Sequence, residues 1–499
     1  MGYCGVRKGA LARRVTTALI ASVLGALFVG VSWGASGYSP DSDPYSMANT
    51  TLESGAQAWW NAGYTGKGVD VALIDSGVAP VAGLNSAGKV VNGPDLSLDS
   101  QNPNMRYLDA YGHGTFMAGL IAANDPSYRG MAPDARLVSL KVGAADGAVD
   151  VSQMIAAIDW VVQHAHDPGL NIRVINLSYG TDSLQDPALD PLAYAAEQAW
   201  KRGIVVVAAG GNYGFQTQHN APALADPAYD SSLLAVGSVD TAGTTKMSDD
   251  SVPSFSPWPK RGATRSVDLI APGTHLVGLR DPGSYIDVMH PEGYLSDRYF
   301  RGSGTSESAA VVSGAAALIL QKYPNATPDQ VKQLLMASAT TINAKSQAQG
   351  DGELNLSAAL AAPLPAALPA LLTGTGAGSL EQARGDDHLT APDGTVLTGE
   401  QDIFGMPFNS TSMAALEATA SSWSGGVWNS STWSGSSWSG SNWLASSWSA
   451  SSWSASSWSA NSWSANSWSG SSWSASSWSG SSWSGSSWSG AGWQGATWG

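Results

Sequence analysis

Four side chains stand in surroundings that suit acyl chemistry. Asp75 closes the apolar run 69–74 in Ile-Asp-Ser-Gly, and His113 sits between glycines in Gly-His-Gly-Thr-Phe-Met-Ala-Gly. Asn212 ends the run Val-Val-Val-Ala-Ala-Gly-Gly-Asn, and Ser306 follows Gly-Ser-Gly-Thr directly before a long apolar helical pattern. A serine attacks a carbonyl when an imidazole takes its proton, and a carboxylate at a strand end can orient that imidazole and stabilise its cation. A helix N-terminus and a side-chain amide can together hold the oxyanion that forms. Each residue also has an ordinary use, as a strand-end aspartate, a capping histidine, a turn asparagine or an N-cap serine. The four in this order, each beside its glycines, form a joint pattern that caps and turns do not generate.

The elements that must position them are legible. Residues 69–74, 137–142, 174–177, 204–209 and 233–236 are short runs rich in valine and isoleucine, which read as buried strands. Residues 116–123, 151–164, 192–201 and 307–323 carry helical spacing, and Thr327-Pro328-Asp329 supplies an N-cap and an N1 proline for a further helix to Met336. Strands alternating with helices predict a doubly wound parallel α/β sheet, with ligands at the carboxyl ends of its strands.

The chain has 499 residues, 43% of them apolar, enough for one large globular unit plus additional segments. Its formal net charge is −15, and no run of Lys or Arg lies beyond the first fourteen residues, so nucleic acid is excluded as a partner class. Arg7, Lys8, Arg13 and Arg14 precede an uncharged, largely apolar stretch to Tyr38 that ends near Gly34, Ala35 and Ser36. That layout predicts a secretory signal peptide over 1–35, with an uncleaved membrane anchor as the competing reading. Cys4, the sole cysteine, would leave with the signal, so the mature chain has no thiol nucleophile, disulfide or thiolate metal site.

The order Asp75, His113, Ser306 and the words around them resemble the subtilisin-like (subtilase) family. The resembling words are Asp-Ser-Gly, His-Gly-Thr, Gly-Met-Ala-Pro-Asp-Ala from Gly130, Val-Ile-Asn-Leu-Ser-Tyr-Gly from Val174, Ala-Ala-Gly-Gly-Asn, Ala-Pro-Gly from Ala271 and Gly-Thr-Ser. The same triad runs His, Asp, Ser in chymotrypsin-like enzymes and Ser, Asp, His in α/β-hydrolases. The resemblance covers about residues 59–360 and implies a serine endopeptidase: Ser306 attacks, His113 moves the proton, Asp75 holds the imidazole, and Asn212 with the Ser306 N–H binds the oxyanion. It also implies that Ser178, Tyr179 and Gly180 pair with an extended protein or peptide substrate, and that Gly210 lies in the wall of the S1 pocket. Catalysis would need no cofactor. Structural calcium is common in such proteins, yet no complete oxygen-ligand loop can be matched here, so no metal ligand is assigned.

Three departures stand out: Glu307 next to the nucleophile, Ala310 where the family usually has proline, and only residues 36–58 where an inhibitory propeptide would lie. His164 and His166, two apart on a helix, do not chelate jointly, and Asp249-Asp250 and Asp386-Asp387 read as solvated loops. Residues 361–372 read as an Ala/Pro/Leu linker and 373–417 as a segment too small to bury much alone. Beyond Glu417 there is no charge, and from Trp423 to Trp498 every fifth residue is tryptophan, within Trp-Ser-Gly/Ala-Ser/Asn-Ser units that make 418–499 a low-complexity repeat tail. A five-residue step turns an α-helix by about 500° and alternates the faces of a strand, so neither gives one aromatic stripe. That leaves a turn-per-repeat coil or a disordered chain, with indoles that could stack on cell-wall polysaccharide, self-associate, or bind nothing specific. Two functions survive: a secreted endopeptidase tethered by its tail, and a surface adhesin or structural protein built on a catalytically retired domain.

Overall fold

The computed structural model describes residues 38–433, apart from 102–104, 215–223, 260–264, 368–371 and 391–394, together with 495–497. The expected signal peptide and the repeats from 434 to 494 lie outside the described residues. Among the described residues no helix is long and apolar enough to cross a membrane.

Seven parallel strands form the core: β1 (Asp70–Asp75), β2 (Val90–Asp95), β5 (Arg136–Lys141), β6 (Ile172–Leu177), β7 (Val205–Ala209), β8 (Leu234–Val239) and β9 (Leu269–Pro272), with the two-residue pairs β3 (Asn124–Asp125) and β4 (Tyr128–Arg129) forming a small hairpin. They lie in the order β2-β5-β1-β6-β7-β8-β9, so from β1 the chain runs to the edge at β2, returns to β5 beside β1, and then crosses to build outward from β6 on the other side. The switch between β1 and β6 opens the crevice in which such sheets bind ligands. The central strands are buried on both faces, which is why their sequences are continuous apolar runs without alternation. Beyond β9, β10 (Leu276–Leu279) and β11 (Tyr299–Gly304) form an antiparallel pair.

Before the sheet come α1 (Met47–Glu53) and α2 (Ala56–Asn61). On one side of the sheet α3 (His113–Ala122) packs against the 18-residue α7 (Thr305–Lys322), and elsewhere α4 (Val151–His164) packs against α5 (Pro191–Lys201). The short α6 (Tyr285–Met289) lies between β10 and β11, and α8 (Pro328–Ser338), α9 (Ser346–Gln349) and α10 (Leu356–Ala361) follow α7. The expected cap at Thr327 is a full capping box with Gln330. Trp59 ties the two ends of this unit together, its indole N–H donating to the Leu356 carbonyl at 2.7 Å.

Past the Ala/Pro/Leu stretch the chain folds back onto the α/β unit. α11 (Leu380–Arg384) brings the fully buried Arg384 to Asp150, the N-cap of α4, at 2.6 Å, and α12 (Ser410–Ala418) packs on α5. The segment 373–417 thus finds on α4 and α5 the apolar surface it could not supply itself. The first three repeat tryptophans continue this clamp. Trp423, Trp428 and Trp433 are buried in a three-stranded meander of β12 (Trp423–Ser424), β13 (Val427–Trp428) and β14 (Ser431–Thr432). The indole N–H groups of Trp423 and Trp428 donate to the Ala156 carbonyl at 2.8 Å and the Asp159 carboxylate at 2.7 Å. Between successive tryptophans the chain reverses through paired left-handed residues, Gly425-Gly426 and then Asn429-Ser430, which is the signature of a type I′ turn. These units are therefore the turn-per-repeat form; β15 (Gly495–Thr497) pairs by its backbone with Ser303 and Gly304 of β11.

Candidate active site

Asp75 is the last residue of β1 and is 1% exposed. Its carboxylate accepts from the Ser76 N–H at 2.7 Å and faces the His113 Nδ1 at 2.8 and 3.0 Å. His113 opens α3, three residues earlier than the helical spacing predicts. Asp109 explains that early start. Buried and unmarked by any sequence signal, its carboxylate accepts from the Gly112 N–H at 2.7 Å, the Thr115 N–H at 2.6 Å and the Ser76 hydroxyl at 2.7 Å. It therefore satisfies the first donors of the helix and holds the loop against Asp75. The flanking glycines are both required: Gly112 has φ +105°, and a Cβ on Gly114 would lie 2.1 Å from the Gly77 carbonyl oxygen.

Burial depresses the His113 imidazole, but the charge of Asp75, its hydrogen bond and then the charges of Glu307 and Asp109 outweigh that and hold it above the usual histidine range. A basic imidazole anchored at Nδ1 presents Nε2 for proton transfer.

Ser306 is the second residue of α7, so its N–H is among the four at a helix start that have no intrahelical acceptor. Its hydroxyl donates to the Ser178 carbonyl at 3.3 Å, and the Ser178 hydroxyl donates to the Ser306 carbonyl at 3.1 Å. Asn176 fixes this contact, donating to the Ser178 hydroxyl and accepting from Ser313 on α7, each at 2.9 Å. The Asn-Leu-Ser-Tyr-Gly word thus joins β6 to the helix that carries Ser306. Asn212 follows β7, and its amide oxygen accepts from the Thr305 N–H at 2.9 Å and the Thr305 hydroxyl at 3.1 Å, which turns its NH2 the opposite way.

The softer substrate-binding expectations fall close by. Ser178 and Gly180 are buried with Tyr179, which is 1% exposed, and the next residue, Thr181, pairs with Asp226. The Gly210 N–H donates to the Val236 carbonyl and its carbonyl accepts from the Ala225 N–H, at 2.9 Å each, so Gly210 offers no free hydrogen-bonding edge. Beside Asp109 a cleft of about 590 Å³ opens, with Leu108, Ala145, Tyr285 and Val288 among its lining. One wall is α6, whose role sequence reasoning missed because its apolar residues look like an ordinary loop insertion.

Glu307 is completely buried beside this centre, and neither carboxylate oxygen has a hydrogen-bond partner. Burial pushes it up to about 7, His113 pulling it down and Asp75 adding to the rise. Next to Ser306 in sequence, it lies within the electrostatic field of the His113 imidazole.

The family model for the subtilase family matches residues 66–355. Serine protease AprX of Bacillus subtilis is 38% identical over 282 residues, 54% of this chain and 61% of that protein's length. Subtilisin DY of Bacillus licheniformis is 34% identical over 300 residues, 60% of this chain and 92% of the relative. A crystal structure of a cold-adapted subtilisin-like serine proteinase, 29% identical, covers 58% of this chain and 90% of its own, with a TM-score of 0.45. With a seven-stranded parallel sheet and the family model matched over residues 66–355, more than half of its length, the chain belongs to the subtilase family.

Proposed function

We propose that this protein is a secreted endopeptidase that cleaves proteins or peptides through an acyl-enzyme on Ser306. His113 takes the hydroxyl proton and returns it to the leaving amine, while Asp75 holds the ring and stabilises its cation. The Asn212 NH2 and the Ser306 N–H hold the oxyanion, each such donor being worth about 10² to 10³ in turnover, as known from subtilisin. Substrate lies extended along Ser178, Tyr179 and Gly180, with Gly210 behind its P1 side chain. The observation that carries this reading is the 2.8 Å bond between His113 at the start of α3 and Asp75 at the carboxyl end of β1, both buried. No cofactor takes part in these steps.

The basic and then apolar start of the chain supports secretion. The evenly spaced tryptophans support a tether to cell-wall polysaccharide, and that role falls to Trp438 and those after it, since Trp423, Trp428 and Trp433 are buried in the clamp. Glu307 favours the alternative, a surface adhesin or structural protein on a retired domain, because an ionised carboxylate there opposes a nearby oxyanion.

Casein hydrolysis and fluorophosphonate labelling of the full chain, beside Ser306→Ala, test the proposal. Both signals should vanish in the variant, with a turnover loss on the order of 10⁶, the size that losing this serine has in subtilisin. A folded parent chain that neither cleaves nor labels would sink the endopeptidase reading. A chain ending after Trp433 should lose retention on cell-wall polysaccharide while keeping its activity.

A further inference from the structure

Far from the triad, three acidic side chains from distant parts of the sequence meet. Glu53 ends α1, Asp250 lies in the loop between β8 and β9, and Glu353 lies between α9 and α10. Glu353 is held rigidly: it exchanges backbone hydrogen bonds with Thr340 at 2.8 Å, and its neighbours Gly352 and Leu354 both bond to Ile270 of β9 at 2.9 Å. Asp250 precedes Ser251, which is pinned to Asp240 by a backbone pair at 2.8 and 3.1 Å. One carboxylate oxygen from each of the three lies within 4.8 Å of the others.

These groups have no visible means of compensating their charge. Glu353 is 0% exposed, and neither of its oxygens has a hydrogen-bond partner outside the cluster; the same holds for both oxygens of the buried Asp250 and for Glu53 Oε1. The sequence expectation of a solvated loop at Asp249-Asp250 therefore fails for Asp250, because the loop folds inward against β9 and the Glu353 segment. Burial acts first on all three. With the charge of Asp250 and then a carboxyl–carboxylate hydrogen bond to it, burial pushes Glu53 up to about 9, and with that hydrogen bond and then repulsion it pushes Glu353 up to about 10. Asp250 is raised by burial and pulled back by its bonds to the two glutamates. The further charged neighbours acting on them are Asp249 and Asp240, and no basic side chain stands among them.

We propose that Glu53, Asp250 and Glu353 bind one divalent cation of calcium size, joining the end of α1 to the two loops that frame β9. Protons could neutralise the cluster, but two protons shared between carboxyls engage at most four of the five oxygens and leave the third carboxylate's charge in place. A calcium ion takes six to eight oxygen ligands at about 2.3 to 2.6 Å, which places opposite oxygens up to roughly 5 Å apart, the span found here. Magnesium, at about 2.1 Å, needs a tighter octahedron, and an all-oxygen donor set does not select zinc. Glu53, only partly buried, provides the route in from solvent. The site is legible only in three dimensions, since its ligands lie 197 and 103 positions apart (250 − 53 and 353 − 250).

The test is calorimetric titration of the chelator-treated full chain with calcium chloride. Ser306→Ala serves as the background to prevent self-digestion, with Glu353→Gln and Asp250→Asn added singly and their folding checked by circular dichroism. Each variant should bind one calcium equivalent fewer than the parent and lose part of the calcium-dependent rise in Tm, while magnesium at equal concentration leaves the parent's titration unchanged. Equal calcium stoichiometry in the parent and in either folded variant overturns the proposal. So does a parent that binds no calcium, a result that can be read even if neither variant folds. A parent without bound calcium, combined with variants that gain stability only at alkaline pH, would identify the cluster as proton-sharing carboxyls instead.

Discussion

Asp75 and Glu353 are both carboxylates removed from water, and their surroundings are opposite. Asp75 has the Ser76 N–H and the His113 ring within 3 Å; Glu353 has other carboxylates and no donor outside their cluster. Burial costs a charge little when donors or an opposite charge replace the lost water, and a great deal when they do not. Glu307 stands between the two cases, fully buried without a hydrogen-bonding partner yet within the field of His113. A buried carboxylate in this protein thus carries information through its partners. Where they are present it orients another group, and where they are absent something must be supplied.

Removing the charge from the well-paired member should have the largest effect. Asp75→Asn is expected to lower kcat about 10⁴-fold with the fold intact, because the amide stabilises the wrong tautomer and no imidazolium. Peptide-substrate kinetics and circular dichroism check this, and a loss below tenfold would mean that Asp75 does not hold the ring. Next comes the pair formed by Arg384 and Asp150 at the junction of clamp and catalytic unit. Arg384→Met leaves Asp150 buried and unpaired, and denaturant unfolding of the inactive Ser306→Ala background should show a loss of about 3 to 5 kcal/mol.

The smallest effect concerns Glu307 and is set by pH. Its folded-state value is raised to about 7 from the usual glutamate range, so between those limits the folded chain holds a proton that the unfolded chain has released. Stability from this group is complete at low pH and is lost as pH rises through about 7, a difference on the order of 3 kcal/mol. Glu307→Gln should remove that slope, leaving the variant less dependent on pH between 5 and 8 than its parent. Identical slopes would place the Glu307 carboxylate in contact with water.

How much of this was legible in the residues depended on how local the cause was. The apolar runs at β1, β5, β6, β7 and β8 marked five of the seven parallel strands, because a strand buried on both faces must be apolar throughout. The edge strand β2, with its exposed and half-buried residues, carried no such signal, and β9 was visible only as an Ala-Pro-Gly word. Helix starts were misjudged by two or three residues at His113 and Ser306. The caps there come from Asp109 and from glycine geometry, whereas the spacing of apolar residues reports only helix interiors. The same limit hid Asp109 and α6, whose roles exist only through what they touch.

By itself, the sequence determined the parallel α/β class, the candidate chemistry of Asp75, His113, Asn212 and Ser306, and the break in composition at the repeats. All of these are written in local words, since strand periodicity, glycine-flanked loops and helix starts depend on neighbours a few positions away. Only the tertiary structure decided that the first three repeat tryptophans close a clamp on α4, that Glu307 lies within the field of His113, and that Glu53, Asp250 and Glu353 converge. The physical reason is common to all three. The free energy of a buried indole or carboxylate is set by what surrounds it, and here those surroundings come from segments hundreds of residues away in the chain.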